Sequence, residues 1–207
     1  MMAWWFLALG ACDGAAGGTN QTLDATGFWP AAVGTFYTMR LLDAGASPVD
    51  DTAALDASAF LLARVAEGGC ADGTGIVLGL RSGDAWDDGE PRGDLHLSLP
   101  TGNADESLGL CGYADALGSV GTIDPPVVLW ESSKLVLGNE ITEGSWTVTV
   151  GDASPTATYF GVFPDAASFA ISGPGDGPSG WTMVLAPGTG LVVLETGAFT
   201  ADLVNVR

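Results

Sequence analysis

Cations are scarce in this chain and histidine is almost absent. Among 207 residues, 6 lysines and arginines face 25 aspartates and glutamates, for a net charge of −19. Lys134 is the single lysine and His96 the single histidine. So acidic a surface repels phosphate backbones and anionic headgroups, which argues against nucleic acid as a partner and against membrane contact through a basic patch. With one histidine there is little for metal binding or proton transfer, and His96 lies in "DLHLSL" on the polar side, opposite three leucines. The metalloprotease H-E-x-x-H, C-x-x-C and the phosphate-binding loop ending in Gly-Lys are also missing. The nearest approach to a serine nucleophile elbow, "GPSGW" at 177–181, fails at its last position. No enzyme template is present, so a non-enzymatic role is expected.

Long apolar runs are missing too. Residues Ala3 to Ala11 are apolar or small, whereas a membrane-spanning helix needs about 20 such residues. The length suits the hydrophobic region of a signal peptide. It closes on Leu9-Gly10-Ala11-Cys12, which resembles the lipobox of bacterial lipoproteins, although no Lys or Arg precedes the run. The resemblance implies cleavage before Cys12, lipid on its sulfur and acylation of the new N-terminus. Residues 1–11 are then the signal and 12–27 a lipidated cysteine with a small, polar, Gly-rich tether. As a flexible chain this tether reaches roughly 20 Å from the membrane. The expected location is the bacterial cell envelope, held to a membrane by lipid and facing the periplasm or the exterior.

Cysteine is sparse too, at three residues. With Cys12 lipidated, Cys70 and Cys111 remain, and an oxidising compartment favours their pairing. A loop of about 42 residues closed in this way contributes about 4 kcal/mol in the chain-entropy model.

What is abundant is short alternation broken by Gly, Pro and Asp. "SWTVTV" at 145–150 puts Trp146, Val148 and Val150 on one face, and "DLHLSL" at 94–99 does the same with Leu95, Leu97 and Leu99. Similar runs begin at Gly34, Gly75, Pro126, Thr156, Ser168, Trp181, Leu191 and Ala198. Period-two patterning with closely spaced turns predicts one all-β domain over 28–207, an antiparallel jelly-roll-like β-sandwich. The stretch 52–67 has some helical spacing, but "SAFLLARVA" at 58–66 reads better as a buried strand. "DPP" at 124–126 reads as the entry to a strand and "GPGDGPSG" at 173–180 as a loop. "TGFWP" at 26–30 contains the G-x-W spacing that opens many lipocalins, so a closed lipocalin-like β-barrel is the alternative.

The strongest chemical cluster is "SGDAWDDGEPRGD" at 82–94. Asp84, Asp87, Asp88, Glu90 and Asp94 are candidate calcium ligands, since calcium takes six to eight oxygens and suits a flexible acidic loop. The spacing is not that of an EF-hand, and a plain solvated hairpin loop is the competing reading. Trp86 stands among these acids, where it would stack on a sugar or fold back as a lid. The sequence therefore leads to a non-enzymatic envelope lipoprotein of unknown ligand, with carbohydrate or another envelope protein as candidate partners. A calcium-dependent carbohydrate-binding module is the first alternative. A small hydrolase using two carboxylates roughly 5–10 Å apart is the second.

Overall fold

The computed structural model describes residues 22–24, 26–29, 32–44, 60–70, 75–99, 106–131, 134–175 and 177–207. The expectations for the signal, for Cys12 and for residues 52–59 lie outside them. Every regular element among the described residues is a strand. The first half of the chain forms β1 (Thr22–Asp24), β2 (Phe36–Asp43), β3 (Phe60–Glu67), β4 (Ile76–Ser82), β5 (Glu90–Ser98), β6 (Ser107–Ala114), β7 (Val120–Glu131) and β8 (Lys134–Val136). The second half forms β9 (Glu140–Glu143), β10 (Trp146–Asp152), β11 (Thr156–Ala157), β12 (Val162–Phe163), β13 (Ala167–Ser172), β14 (Trp181–Ala186), β15 (Gly190–Glu195) and β16 (Phe199–Val206).

Fourteen of these strands make one antiparallel sheet in the order β1-β8-β7-β6-β5-β4-β3-β2-β16-β15-β14-β13-β10-β9. Two meanders, β2 to β8 and β16 back to β13, are joined where β2 pairs with β16 from Tyr37↔Val206 to Asp43↔Phe199. The sheet curls until β7 lies beside β9 and β10, which brings it close to a closed barrel. Its two halves face each other across one core, with Trp130 and Phe169 5.4 Å apart and Tyr113 and Trp146 5.9 Å apart. The all-β, antiparallel expectation therefore holds, and the near-closure is the form that the barrel alternative describes.

Alternation explains the core. Trp146, Val148 and Val150 point inward from β10, as do Leu78 and Leu80 from β4 and Leu95 and Leu97 from β5, all buried. Each such side chain contributes about 1.5–3 kcal/mol by leaving water. Phe28 and Trp29 join the same core, and Gly27 just before them accepts a 2.8 Å hydrogen bond from the Gly188 amide. Arg207, at the end of the chain, stacks on Phe36, 4.9 Å from the ring centre.

"DPP" corrects one expectation, because β7 runs through it. The β6–β7 register passes from Leu110↔Val127 to Gly112↔Thr122, so residues 123–126 and Cys111 drop out of the ladder. Proline has no amide to donate and is tolerated at such a bulge. The same irregularity interrupts the β5–β6 pairing beside Cys111. Cys111 forms a disulfide with Cys70 in the β3–β4 turn, with a Cα–Cα distance of 5.7 Å. Gly75 makes room for this pairing, because a Cβ there would lie 2.5 Å from the Leu97 carbonyl and 3.0 Å from the Cys70 sulfur.

Candidate functional site

The acidic segment is shorter as a loop than its sequence suggests. β5 begins at Glu90, so only residues 83–89 form the turn, and Glu90 and Asp94 belong to a strand. Asp84, Asp87 and Asp88 are exposed on that turn. Glu90 reaches toward Arg92, at 3.8 Å. Asp94 faces Gly79 across the β4–β5 ladder. Among the described residues, no three His, Cys, Asp or Glu side chains gather as a metal-holding group. The register shift in β5 between Gly93 and Pro91, which turns Glu90 and Asp94 to opposite faces, and the width of the turn spread the five carboxylates, so the calcium expectation has no coordination geometry behind it here.

Trp86 folds back onto the outer face of the sheet. Its partners form a cross-strand row in which Phe36 opposes Arg64, Arg64 opposes Gly79 and Gly79 opposes Asp94. The indole lies over Gly79, where an added Cβ would sit 3.2 Å from Trp86 Cη2 and 3.3 Å from Asp94 Oδ1. Phe36 meets the ring edge-on at 5.8 Å. The guanidinium groups of Arg81 and Arg64 stand 5.0 and 6.0 Å from its centre. Arg81 also donates through Nη1 to the carbonyls of Trp86 and Gly89, at 3.2 and 3.4 Å. Trp86 is thus a clamp that fixes the turn, which is the lid-like fate rather than an open sugar platform.

A second outer-face feature is a hairpin that the sequence pattern conceals. "TATYFGVF" resembles one strand, yet residues 153–166 leave the main sheet and fold back as the β11–β12 hairpin. This flap is closed at its base by Ala153 N to Ala166 O (3.2 Å) and at its tip by Thr158 N to Gly161 O (2.8 Å). Its tip docks on β16, with the Tyr159 amide donating to Asp202 Oδ2 at 2.6 Å and the Phe160 amide to the Leu203 carbonyl at 2.9 Å. Asp202 is in turn paired with Arg40, whose guanidinium lies 5.5 Å from the Tyr159 ring centre. Tyr159 and Phe160 remain 53% exposed and Val162 67%. The only signal in the sequence was Thr-Tyr-Phe-Gly, a turn interrupting the alternation.

Between this flap and the sheet lies an open cleft of about 360 Å³. Its floor continues the row that the flap covers, since Ser168 opposes Val184, Val184 opposes Val193, and Val193 opposes Asp202. Thr182 and Glu195, paired across β14–β15, stand beside it, and Ala153, Thr156 and Ala157 of the flap form the other wall. Two further clefts among the described residues lie at the β6–β7 turn and at the seam between β7 and β9. Each of the three has a single carboxylate in its lining, Glu195, Asp115 and Glu131 respectively, so none presents the acid pair a glycosidase needs. Gly175, Gly177 and Gly180 have the G-x-G-x-x-G spacing of a phosphate-cradling turn. They link antiparallel strands with no helix following, so no helix N-terminus faces an anion there.

No protein-family model, curated protein or solved structure matches this chain. Among the described residues, no helix is long and apolar enough to cross a membrane.

Proposed function

We propose that this chain is an exported bacterial envelope lipoprotein whose β domain is a non-enzymatic binding module held to the membrane by lipid on Cys12. The observation that carries the reading is the Cys70–Cys111 disulfide. It accounts for two of the chain's three cysteines and leaves Cys12, behind Leu9-Gly10-Ala11, for another chemistry. Disulfides persist outside the reducing cytosol, which is where a lipobox would send the chain. The net charge of −19 is consistent with a lipid anchor in place of a basic membrane patch. The binding role rests on the outer face, where the flap exposes rigidly held aromatic side chains beside a cleft, a combination typical of interaction surfaces.

The test is expression of the full chain in a bacterial host supplied with labelled palmitate. Wild type should take up label and partition with detergent, while Cys12→Ala should do neither. Unlabelled wild-type protein in the aqueous phase would overturn the lipoprotein reading.

A further inference from the structure

We propose that the cleft between the flap and the outer face of β13–β15 binds a neutral saccharide one or two rings long. The inference rests on the reading of the domain as a binding module and assigns a ligand class to it. Three polar groups line the cleft without a hydrogen-bond partner among the described residues: the Ser168 and Thr182 hydroxyls and the Glu195 carboxylate. Between them, Val184 and Val193 give an apolar floor. A sugar ring has this same division, with C–H faces that pack on methyl groups and a rim of hydroxyls that need partners. A carboxylate accepts from two neighbouring hydroxyls at once, and serine or threonine hydroxyls donate or accept as required.

Charge narrows the ligand class. No lysine or arginine lines the cleft, so a phosphate, sulfate or sugar acid would find no counter-charge there. It would instead meet Glu195 and the field of a chain with a net charge of −19. At about 360 Å³ the cleft falls at the small end of the roughly 300–1,000 Å³ range of ligand sites, which suits one or two rings. Its geometry is also set in advance. The flap wall is fixed at its base by the Ala153–Ala166 bond and beyond the cleft by Asp202, so little ordering accompanies binding.

The experiment is calorimetric titration of the disulfide-bonded protein with maltose, cellobiose, lactose and N,N′-diacetylchitobiose, alongside glucuronic acid. At least one neutral disaccharide should bind, and more tightly than the charged sugar. Glu195→Gln and Thr182→Val should each weaken that binding about tenfold, the effect of losing one good hydrogen bond, while their melting curves stay close to wild type. The proposal is overturned if no neutral disaccharide binds, if the charged sugar binds best, or if both variants bind like wild type. Palmitate labelling is read separately. A labelled protein that ignores sugars sinks the saccharide inference alone, and a sugar-binding protein without label sinks the lipoprotein reading alone.

Discussion

Arg40 and Asp202 face each other across the β2–β16 ladder, with Nε to Oδ1 at 3.0 Å and Nη2 to Oδ2 at 3.2 Å, and both are buried. The pair spans the junction between the two meanders. It also holds the flap, because Asp202 Oδ2 accepts the Tyr159 amide and Arg40 lies against the Tyr159 ring. One carboxylate therefore ties the junction of the two meanders to the wall of the cleft.

Removing that carboxylate should be costly. Asp202→Ala takes from the buried Arg40 guanidinium the carboxylate that faces it across the ladder, and breaking such pairs costs about 3–5 kcal/mol. Urea unfolding should report a loss of that size, and limited proteolysis should newly cut near 158–163. The double variant Arg40→Met with Asp202→Leu should be less destabilised than Asp202→Ala alone, since it leaves no buried charge. Equal losses would mean that the pair matters through shape and not through charge.

Trp86 should behave as a structural clamp. Trp86→Ala removes the contacts with Phe36, Arg64 and Arg81 and should lower stability by about 1–3 kcal/mol, from lost apolar burial and cation–π attraction. Gly79→Ala should act in the same direction by forcing a methyl group under the indole. Tryptophan fluorescence would show a red shift in Gly79→Ala as the ring is lifted toward water. An unshifted spectrum with full stability would mean that the ring does not rest on Gly79.

The five acids of 84–94 do not converge, so excess calcium should leave the melting temperature where a chelator puts it. A genuine site would stabilise the fold by about 2.7 kcal/mol at a hundredfold excess over Kd, which a melt detects easily. A rise that chelator reverses would restore Asp84, Asp87 and Asp88 as ligands.

The disulfide is accessible to a direct test. Cys70 and Cys111 are 41 positions apart, and replacing both with serine should cost about 4 kcal/mol through the freed denatured chain. Urea unfolding of the paired variant measures this. Thiol labelling of the denatured, unreduced protein should find neither cysteine, and a labelled pair would remove the bond from the fold.

The strands were legible because a half-buried strand writes itself as alternation. β10, β14 and β15 fall close to where Trp146–Val150, Trp181–Ala186 and Leu191–Glu195 place them. β6 is not legible in the sequence, because its "SLGLCGYA" mixes glycines with a bulge at Cys111, and a bulge shifts the alternation by one residue. The flap reads as a strand because its residues have strand chemistry; its departure from the sheet depends on Asp202, 43 positions beyond Tyr159. The cleft has no local signature at all. Ser168, Thr182 and Glu195 come from three different strands, and only the register brings them together. Trp86 was visible as a residue needing an explanation, but the choice between platform and clamp lay with Gly79 and Arg81, whose neighbourhood alternation does not encode.

Tyr37 gives the fold an alkaline limit. Its ring is fully buried and its hydroxyl donates to the Thr189 carbonyl at 3.3 Å. Burial pushes its pKa up from 10.0 to about 12, opposed by a weaker hydrogen bond from the Leu191 backbone. The folded chain therefore keeps a proton that the unfolded chain has begun to lose. The stabilisation is fully present below pH 10 and is lost as the pH rises from 10 toward 12. Two pKa units correspond to about 2–3 kcal/mol. Urea midpoints taken from pH 9 upward should fall more steeply in wild type than in Tyr37→Phe, which has no proton to lose. Parallel curves would mean that the phenol reaches water, and that the end of the barrel beneath Thr189 is open.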